Sequence, residues 1–342
     1  MSASLDVSVA FATTLETPQH VQIAEQLGFR RAWLYDTPQQ SPDVWMCLAL
    51  AAERTHTIGV GPGVLVPTLR HPMVNASAAA ALERLAPGRV AVGFGTGHTG
   101  RRAMGQPKPV PWSYMLRYVG TFQALLRGET VEWEGGALRM LHTAESLPAP
   151  QVNIPVYIGA LGPKGLDVAG SLADGLFLVA AVPEQATKFG RVSYLAGGSV
   201  LDDGETVSSE RLRSAAGPML MQTFHIAYVM GGADAVKTLP GGSEWLAVIE
   251  AIPADERHLA LHTGHLMYLN DADAAAWDAG AHALLPHATL TGTAYEIRQK
   301  IADLVTKGVT EIVYQPAGDI RRELESFADA MGLTATVAKE ST

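Results

Sequence analysis

The residues from 57 to 100, TIGVGPGVLVPTLRHPMVNASAAAALERLAPGRVAVGFGTGHTG, decide the fold of this chain. Two short apolar strands, predicted at 57–65 and 89–95, each run into a cluster of glycines, and an alanine-rich helix joins them. Parallel strands that a helix connects lie side by side. Glycine has no Cβ and lets a backbone or a ligand approach closely. The two glycine-rich strand ends therefore predict the floor of a pocket.

The same alternation of strand and helix extends in both directions from this stretch. Strands are predicted at 5–12, 31–36, 57–65, 89–95, 155–161, 174–181, 288–292 and 310–315. Eight such units are typical of the (β/α)8 TIM barrel, because a doubly wound sheet needs only six or seven. We expect an α/β fold with a single domain over 1–342 and insertions after strands four and six. The second insertion, at about 182–286, is expected to be helical and to fold over the barrel mouth as a lid.

Composition limits the classes of partner. Hydrophobic residues make up 47% of the chain, so a large core can form, and the net charge of −9 with scattered basic residues argues against nucleic-acid binding. The apolar runs have the length of strands, and the first residues lack the features of a signal peptide. A single cysteine excludes an intramolecular disulfide. We expect a cytoplasmic protein with no nucleic-acid or membrane partner.

The sequence GTGHTG at 95–100 matches the G-x-G-x-x-G pattern of dinucleotide-binding folds. That pattern requires a helix that starts within the motif. Pro107, Pro109 and Pro111 follow closely here, and we expect them to prevent an immediate helix. The barrel interpretation is therefore preferred, with the motif as a loop at the end of strand four.

Two further motifs allow two interpretations each. The turn GALGPKG at 159–165 is either an anion site at a helix N-terminus, assisted by Lys164, or an ordinary turn between strand and helix. His258, His262 and His265 have spacings that would place them on one helix face, where histidines bind zinc. No glutamate follows the first histidine as in zinc proteases, and Gly264 is expected to end the helix. We therefore predict no metal site and favour a polar wall of the pocket.

Five segments together resemble the luciferase-like monooxygenase superfamily, whose members are (β/α)8 barrels that use FMN or the deazaflavin coenzyme F420. The GPGV segment at 61–64 resembles most the F420-dependent branch that includes methylenetetrahydromethanopterin reductase. The resemblance covers nearly the whole chain. The segments are RAWLYD at 31–36, IGVGPGVLVPTLRHP at 58–72, LERLAPGRVAVGFGTGHTGRRAMG at 82–105, YIGALGPKGL at 157–166 and GTAYEIRQKIADLVTKGVTEIVY at 292–314.

This resemblance implies cofactor-binding residues at three strand ends. A cis peptide bond between Gly63 and Val64 would lie behind the ring of the cofactor. The end of strand four would lie against its middle, and the turn after strand five would receive its phosphate. The implied cofactor-binding residues are Gly61, Pro62, Gly63, Val64, Gly95, Thr96, Gly97, Ala160, Leu161, Gly162 and Pro163.

His98 and Asp36 are the candidate catalytic residues. His98 stands where the sugar-phosphate dehydrogenases of the superfamily have a glutamate, which argues against a sugar-phosphate substrate. Its imidazole titrates near neutral pH and can transfer a proton. Asp36 matches the acidic position after strand two and is expected to orient His98 or to act in its place. Trp45, His225 and His262 are candidates for shaping the substrate side.

The resemblance implies an oxidoreductase that transfers a hydride between coenzyme F420 and a small organic substrate. One alternative is an FMN-dependent two-component monooxygenase, which would receive reduced flavin from a partner flavin reductase. A second alternative is a catalytically idle flavin-binding barrel. Because members of the superfamily are commonly dimers, we expect a homodimer. The identity of the substrate does not follow from the sequence.

Overall fold

A computed structural model describes residues 5–147 and 151–334 of the chain. The strands in these ranges are β1 Asp6–Phe11, β2 Arg31–Leu34, β3 Gly59–Pro62, β4 Val92–Phe94, β5 Val131–Trp133, β6 Gly136–Leu138, β7 Val156–Ile158, β8 Gly175–Val179, β9 Val192–Gly197 and β10 Glu311–Gln315. The α-helices are α1 Thr17–Gln26, α2 Val44–Arg54, α3 Pro72–Leu85, α4 His98–Ala103, α5 Trp112–Leu126, α6 Pro163–Leu172, α7 Glu210–Ala215, α8 Gly217–Leu220, α9 Gln222–Lys237, α10 Gly242–Glu250, α11 Arg257–His262, α12 Asp271–Asp278, α13 Leu285–Ala288, α14 Ala294–Thr306 and α15 Ile320–Met331.

One parallel sheet of eight strands forms the barrel, in the order β3-β2-β1-β10-β9-β8-β7-β4. Isolated parallel bridges from Val60 to Val90 and from Leu65 to Phe94 join the β3 and β4 edges. Strands β5 and β6 form a separate antiparallel hairpin, at the place where the first insertion is predicted. The predicted (β/α)8 architecture is confirmed. No helix in the described part of the chain is long and apolar enough to span a membrane.

Short polar side chains fix the starts of several barrel helices. Asp43 precedes α2, and its carboxylate accepts hydrogen bonds from the backbone N–H groups of Trp45 and Met46. Thr293 and Glu296 form a capping box at the start of α14. These caps satisfy N–H groups that the first turn of a helix leaves free. Local sequence thus sets where the helices begin around the sheet.

Aromatic side chains fill part of the barrel interior. The ring of Trp33 meets those of Tyr157 and Phe177 edge to face, with ring centroids 5.3 and 5.2 Å apart. At the start of β10, the buried carboxylate of Glu311 accepts hydrogen bonds from Ser8 at 2.5 Å, from the Trp33 indole at 3.3 Å and from Ser193. One carboxylate therefore contacts side chains from β1, β2 and β9 while it belongs to β10.

The position of the seventh barrel strand differs from the prediction. The strand is β9, inside the segment assigned to the insertion, and 288–292 forms no strand beyond a bridge between Val200 and Gly292. The connection from β8 to β9 holds a short 3-10 helix, Glu184–Lys188, instead of an α-helix. Because the prediction relied on regular helix–strand alternation, it skipped this strand. The helical insertion therefore follows strand seven of the barrel and not strand six.

The insertion, α7 to α13, has a hydrophobic core of its own. Phe224, Trp245 and Trp277 are buried in it together with leucines and alanines from the same helices. The cationic side chains of Arg211 and Arg322 converge on the buried carboxylate of Glu323, with N–O distances of 2.9 and 2.6 Å. Arg211 belongs to the insertion and Glu323 to α15, so this network ties the insertion to the barrel.

The glycine motif at 95–100 also behaves differently from the prediction. A helix does start within it, because α4 begins at His98. It ends at Ala103, before the prolines at 107, 109 and 111. The expectation that these prolines prevent an immediate helix was wrong, since they only limit its length. The barrel topology still excludes the dinucleotide-binding fold for this motif.

Candidate active site

The peptide bond between Gly63 and Val64, just after β3, is cis, as the resemblance implied. The glycines around it are required by packing between β3 and β4. A Cβ on Gly95 would lie 2.5 Å from the Val64 side chain, and a Cβ on Gly61 would overlap the carbonyl oxygen of Ala91. The glycines at these strand ends thus allow the neighbouring strand to pack closely, whereas the sequence pattern predicted that they would form the floor of a pocket.

The end of β4 places His98 at the rim of the barrel. His98 is the first residue of α4, and its side chain is exposed. The two residues before it, Thr96 and Gly97, are partly buried. Its ring makes no hydrogen bond within the described residues. Partial burial lowers the pKa of His98 below its ordinary value, and the positive charge of Arg102 lowers it further. The lowered pKa favours the neutral imidazole, which is able to accept a proton.

Asp36 is held in an ion-pair network. Both of its carboxylate oxygens accept hydrogen bonds of 2.7 Å from Arg70. The same guanidinium donates to Asp43 at 2.6 Å. Burial raises the pKa of Asp36, and the bonds to Arg70 oppose that rise. No hydrogen bond joins Asp36 to His98 in the described residues, so the expected orienting contact between them stays a prediction.

The turn after β7 is open to solvent. Ala160 is buried, but Leu161 is 47% exposed, and Gly162 and Pro163 are exposed at the start of α6. A Cβ on Gly162 would meet nothing within 4 Å. At the end of the adjacent β8, Val179 is 48% exposed. These strand ends offer an apolar rim beside a helix N-terminus, and we call the ends of β7 and β8 the open half of the mouth.

The insertion covers the opposite side of the mouth and also reaches the end of β4, where α11 packs against α4. Gln315 at the end of β10 donates to the carbonyl oxygen of Leu266 at 3.3 Å, and Gln40 after β2 donates to that of His262 at 2.5 Å. Leu266 is buried in the same cluster as the aromatic residues of the barrel interior. Tyr35 donates to Gln315 beneath it. We call the ends of β1, β2 and β10 the covered half.

The three residues predicted to shape the substrate side occupy different surroundings. The indole N–H of Trp45 donates to Asn75 at 3.0 Å, a contact between α2 and α3 that indicates helix packing. His225 and His262 are buried inside the insertion. Burial, followed by the charge of nearby groups, lowers the pKa of His262 to about 4. The rings of these two histidines meet each other, and no hydrogen bond of the described residues joins either to His98. His262 nevertheless lies on α11, which packs against α4, the helix that begins at His98.

A third histidine joins His225 and His262. One ring nitrogen of each of His225, His262 and His265 lies within 4.8 Å of the others. His258, which the sequence grouped with His262 and His265, belongs to α11 but lies near Gly105 instead. The sequence missed His225 as a partner because it precedes His262 by 37 positions on another helix. The prediction of a plain polar wall therefore omitted a cluster of three imidazoles.

Comparison with known proteins supplies the family. The family model described as luciferase-like monooxygenase matches residues 12–311, most of the chain. The chain belongs to the luciferase-like monooxygenase family. The resemblance seen in the sequence is thereby confirmed, and an oxidoreductase or monooxygenase is the class of protein that this family membership supports.

Relatives in the family point to two cofactors. Over 171 residues, the chain is 30% identical to the 5,10-methylenetetrahydromethanopterin reductase of Methanolobus tindarius, a match that covers 50% of this chain and 52% of that protein. This chain thus spans about half the length of the curated relatives that it matches. The coenzyme F420 dependent tetrahydromethanopterin reductase of Methanopyrus kandleri has a similar fold, with a TM-score of 0.69, 21% identity, and coverage of 96% and 98%.

A solved structure with FMN has a similar fold as well. It is the oxygenating constituent of 3,6-diketocamphane monooxygenase from Pseudomonas putida, in complex with FMN, with a TM-score of 0.60 and 13% identity, and the match covers 97% of this chain and 100% of that one. At this identity the likeness concerns the fold alone. A flavin-type cofactor is therefore supported for the family, and both F420 and FMN are represented in it.

Proposed function

We propose that this protein transfers a hydride between coenzyme F420 and a small organic substrate at the open half of its barrel mouth. The observation that carries the proposal is the open half itself. Exposed apolar side chains, Leu161 and Val179, adjoin an unobstructed turn at Gly162. An apolar face beside free backbone N–H groups suits a ligand that has an aromatic ring and a phosphate. The residues present therefore fit a flavin-type cofactor.

Each part of the open half has a separate task in this proposal. The turn from Gly162 to Lys164 binds the phosphate, where the start of α6 and the ammonium of Lys164 favour negative charge. Leu161 and Val179 pack against the ring system, and the segments Gly61–Val64 and Gly95–Gly97 line its other sides. When bound, F420 supplies or accepts the hydride. The protein orients the substrate and moves the coupled proton.

His98 is the residue proposed to move that proton. It is exposed at the rim, and its lowered pKa favours the neutral imidazole. A neutral imidazole accepts a proton, which is the task required when the substrate is oxidised. Asp36 does not share this task in the proposal, since its carboxylate is bonded to Arg70. Asp36 instead holds the loop that carries Arg70 at the mouth.

F420 is preferred over FMN because of the relatives. The F420-dependent reductase structure has the higher TM-score of the two structures described above, and the reductase relative shares 30% identity over half of the chain. The FMN-dependent monooxygenase is the second candidate, supported by the fold it shares with the FMN complex. It would require a partner flavin reductase. A homodimer, expected from the resemblance, remains part of the proposal and is measured by light scattering.

Cofactor binding to the purified protein tests the proposal. We expect F420 to bind at least about tenfold more tightly than FMN, a difference of about 1.4 kcal/mol. The backbone at Gly162 is extended, with φ −91°, and aspartate is a good residue for the position before a helix. The Gly162→Asp variant should therefore retain the fold. The new carboxylate should repel the phosphate and weaken F420 binding by about tenfold.

Gly170→Asp is the matched control, because Gly170 also lies on α6 and a Cβ added there would have no atom within 4 Å. It should leave F420 binding unchanged. Tighter binding of FMN would favour the monooxygenase, and equal effects of the two aspartates would remove the turn from the site. Binding of F420 with no turnover of any tested donor or acceptor would favour the idle barrel over an enzyme.

A further inference from the structure

Three imidazoles converge inside the insertion from three positions of the backbone. His225 lies on α9, His262 is the last residue of α11, and His265 follows in the next turn. One nitrogen from each ring lies within 4.8 Å of the others. Two nitrogens bound to one zinc ion, each at about 2.1 Å, are at most about 4.2 Å apart. Small rotations of these rings therefore bring all three nitrogens to one ion.

The free nitrogens of the cluster need an explanation. His225 Nδ1 and both ring nitrogens of His262 are buried and have no hydrogen-bond partner among the described residues. Buried polar atoms nearly always have a partner, and leaving one without a partner is costly. Simple packing of histidines would leave three such atoms together. A metal ion would bind the lone pair of His225 Nδ1 and of one His262 nitrogen.

A buried carboxylate orients His225 for this task. The other ring nitrogen, Nε2, lies 3.0 Å from Asp273, which also accepts a hydrogen bond of 2.9 Å from the indole of Trp245. When Nε2 donates its proton to Asp273, Nδ1 is left with a free lone pair directed to the cluster. Metal-binding histidines almost always donate their second N–H group to such a partner. Asp273 thus stands in the position of an outer-sphere carboxylate.

His265 has an outer partner of the same kind. Its Nδ1 lies 3.2 Å from the side-chain amide of Gln222, one residue type that can turn either its oxygen or its nitrogen toward the ring. With the amide oxygen facing the ring, Nδ1 donates and Nε2 is free to bind metal. The ring of His265 is stacked on that of His225, with centroids 5.8 Å apart. His262 stands nearly perpendicular to both.

From these contacts, we propose that His225, His262 and His265 bind one divalent transition-metal ion, with Asp273 and Gln222 orienting two of the ligands. Imidazole ligands suit zinc, copper, nickel and iron. Three histidines leave the fourth tetrahedral position of zinc to water or to a ligand. The guanidinium of Arg102 places a positive charge near His262. The carboxylate of Asp273, which contacts His225, places a negative charge beside the cluster. The ion would join α9 to the segment that covers the mouth.

Metal binding to the full-length, untagged protein tests this site independently of any enzyme activity. Chelator-treated protein is titrated with Zn²⁺ by calorimetry and with Co²⁺ by visible absorption, which reports tetrahedral coordination. We expect one equivalent of each ion to bind, and Zn²⁺ to raise the Tm. His262→Ala and His265→Gln should each weaken binding by about 100-fold or more. Asp273→Asn should weaken it by about 10–100-fold, the range of outer-sphere partners.

His258→Ala is the matched control, because His258 lies on the same helix as His262 but outside the cluster. It should keep wild-type affinity, stoichiometry and Co²⁺ spectrum. If wild type binds less than about 0.1 equivalent, or if binding survives in whichever of the two ligand variants folds by circular dichroism, the proposal is wrong. Two ligand variants are used so that a folding defect in one leaves the other decisive.

Discussion

The two halves of the barrel mouth differ in what occupies the strand ends. In the covered half, at β1, β2 and β10, polar side chains such as Tyr35, Asp36 and Gln315 are buried and bonded to protein groups. In the open half, at β7 and β8, Leu161 and Val179 are about half exposed. The carboxyl ends of the barrel strands therefore make internal contacts on one side of the mouth and form free surface on the other.

This difference assigns different roles to the two candidate catalytic residues. Buried ion pairs have their partners inside the protein, so changes in the covered half should act on stability. Exposed groups at a barrel mouth can reach a ligand, so changes in the open half should act on binding or turnover. Variants on the two sides can separate these effects.

The largest effect is expected from His98→Ala, at the rim beside the open half. Loss of the proposed proton acceptor should lower turnover by about 10²–10⁴, while the Kd for F420 changes little. Steady-state kinetics with a substrate identified by screening and a binding titration measure the two quantities. His56→Ala, at an exposed histidine before β3, is the control and should retain turnover. Unchanged turnover in His98→Ala would remove His98 from the mechanism.

In the covered half, Arg70→Met should act on stability. It leaves the carboxylate of Asp36, whose side chain is 1% exposed, without the Arg70 Nη1 group that donates to both of its oxygens. Breaking a buried pair in this way costs about 3–5 kcal/mol of the free energy of unfolding. Denaturant unfolding measures the change, and Arg54→Met, at an exposed position on α2, is the control.

The double variant Asp36→Asn with Arg70→Met tests the reason for that loss. Because the buried charge is gone, it should be more stable than Arg70→Met alone. A loss below about 1 kcal/mol in Arg70→Met, the value typical of exposed pairs, would show that the covered half is not sealed around this pair.

The smallest expected effect is a displaced pH profile. Burial and Arg102 lower the pKa of His98, so its neutral, proton-accepting form persists below the ordinary pKa of about 6.5. For substrate oxidation, kcat/KM should not change with pH around pH 7. It should fall only when the pH drops through that lowered pKa. The pH dependence of kcat/KM measures this limb. A limb centred above about pH 6.5 would contradict the assignment to His98.

Much of the barrel could be predicted from local patterns. The alternation of short apolar runs with helical segments located seven of the eight barrel strands. β9 could not be found in this way, because the segment before it forms only a short 3-10 helix. The alternation on which the prediction depended is interrupted there.

The site was less predictable, because its contacts join distant parts of the sequence. Asp36 pairs with Arg70, 34 positions later, and no local pattern indicates that contact. The histidine spacing suggested one helix face, but α11 ends at His262, and His225 comes from α9. The cis peptide bond between Gly63 and Val64, which the family resemblance implied, is present, whereas the tertiary partners of Asp36 and His262 were not predicted.

The carboxylate of Glu311 has a consequence for how the barrel is specified. Ser8, Trp33 and Ser193 reach it from β1, β2 and β9, strands that lie on both sides of β10. Side chains alternate between the two faces of a strand, so a slip of any of these strands by one residue would turn its donor outward. The carboxylate would then be left buried with too few partners, which is costly. Glu311 therefore penalises misaligned closures of the sheet and favours a single alignment of four adjoining strands.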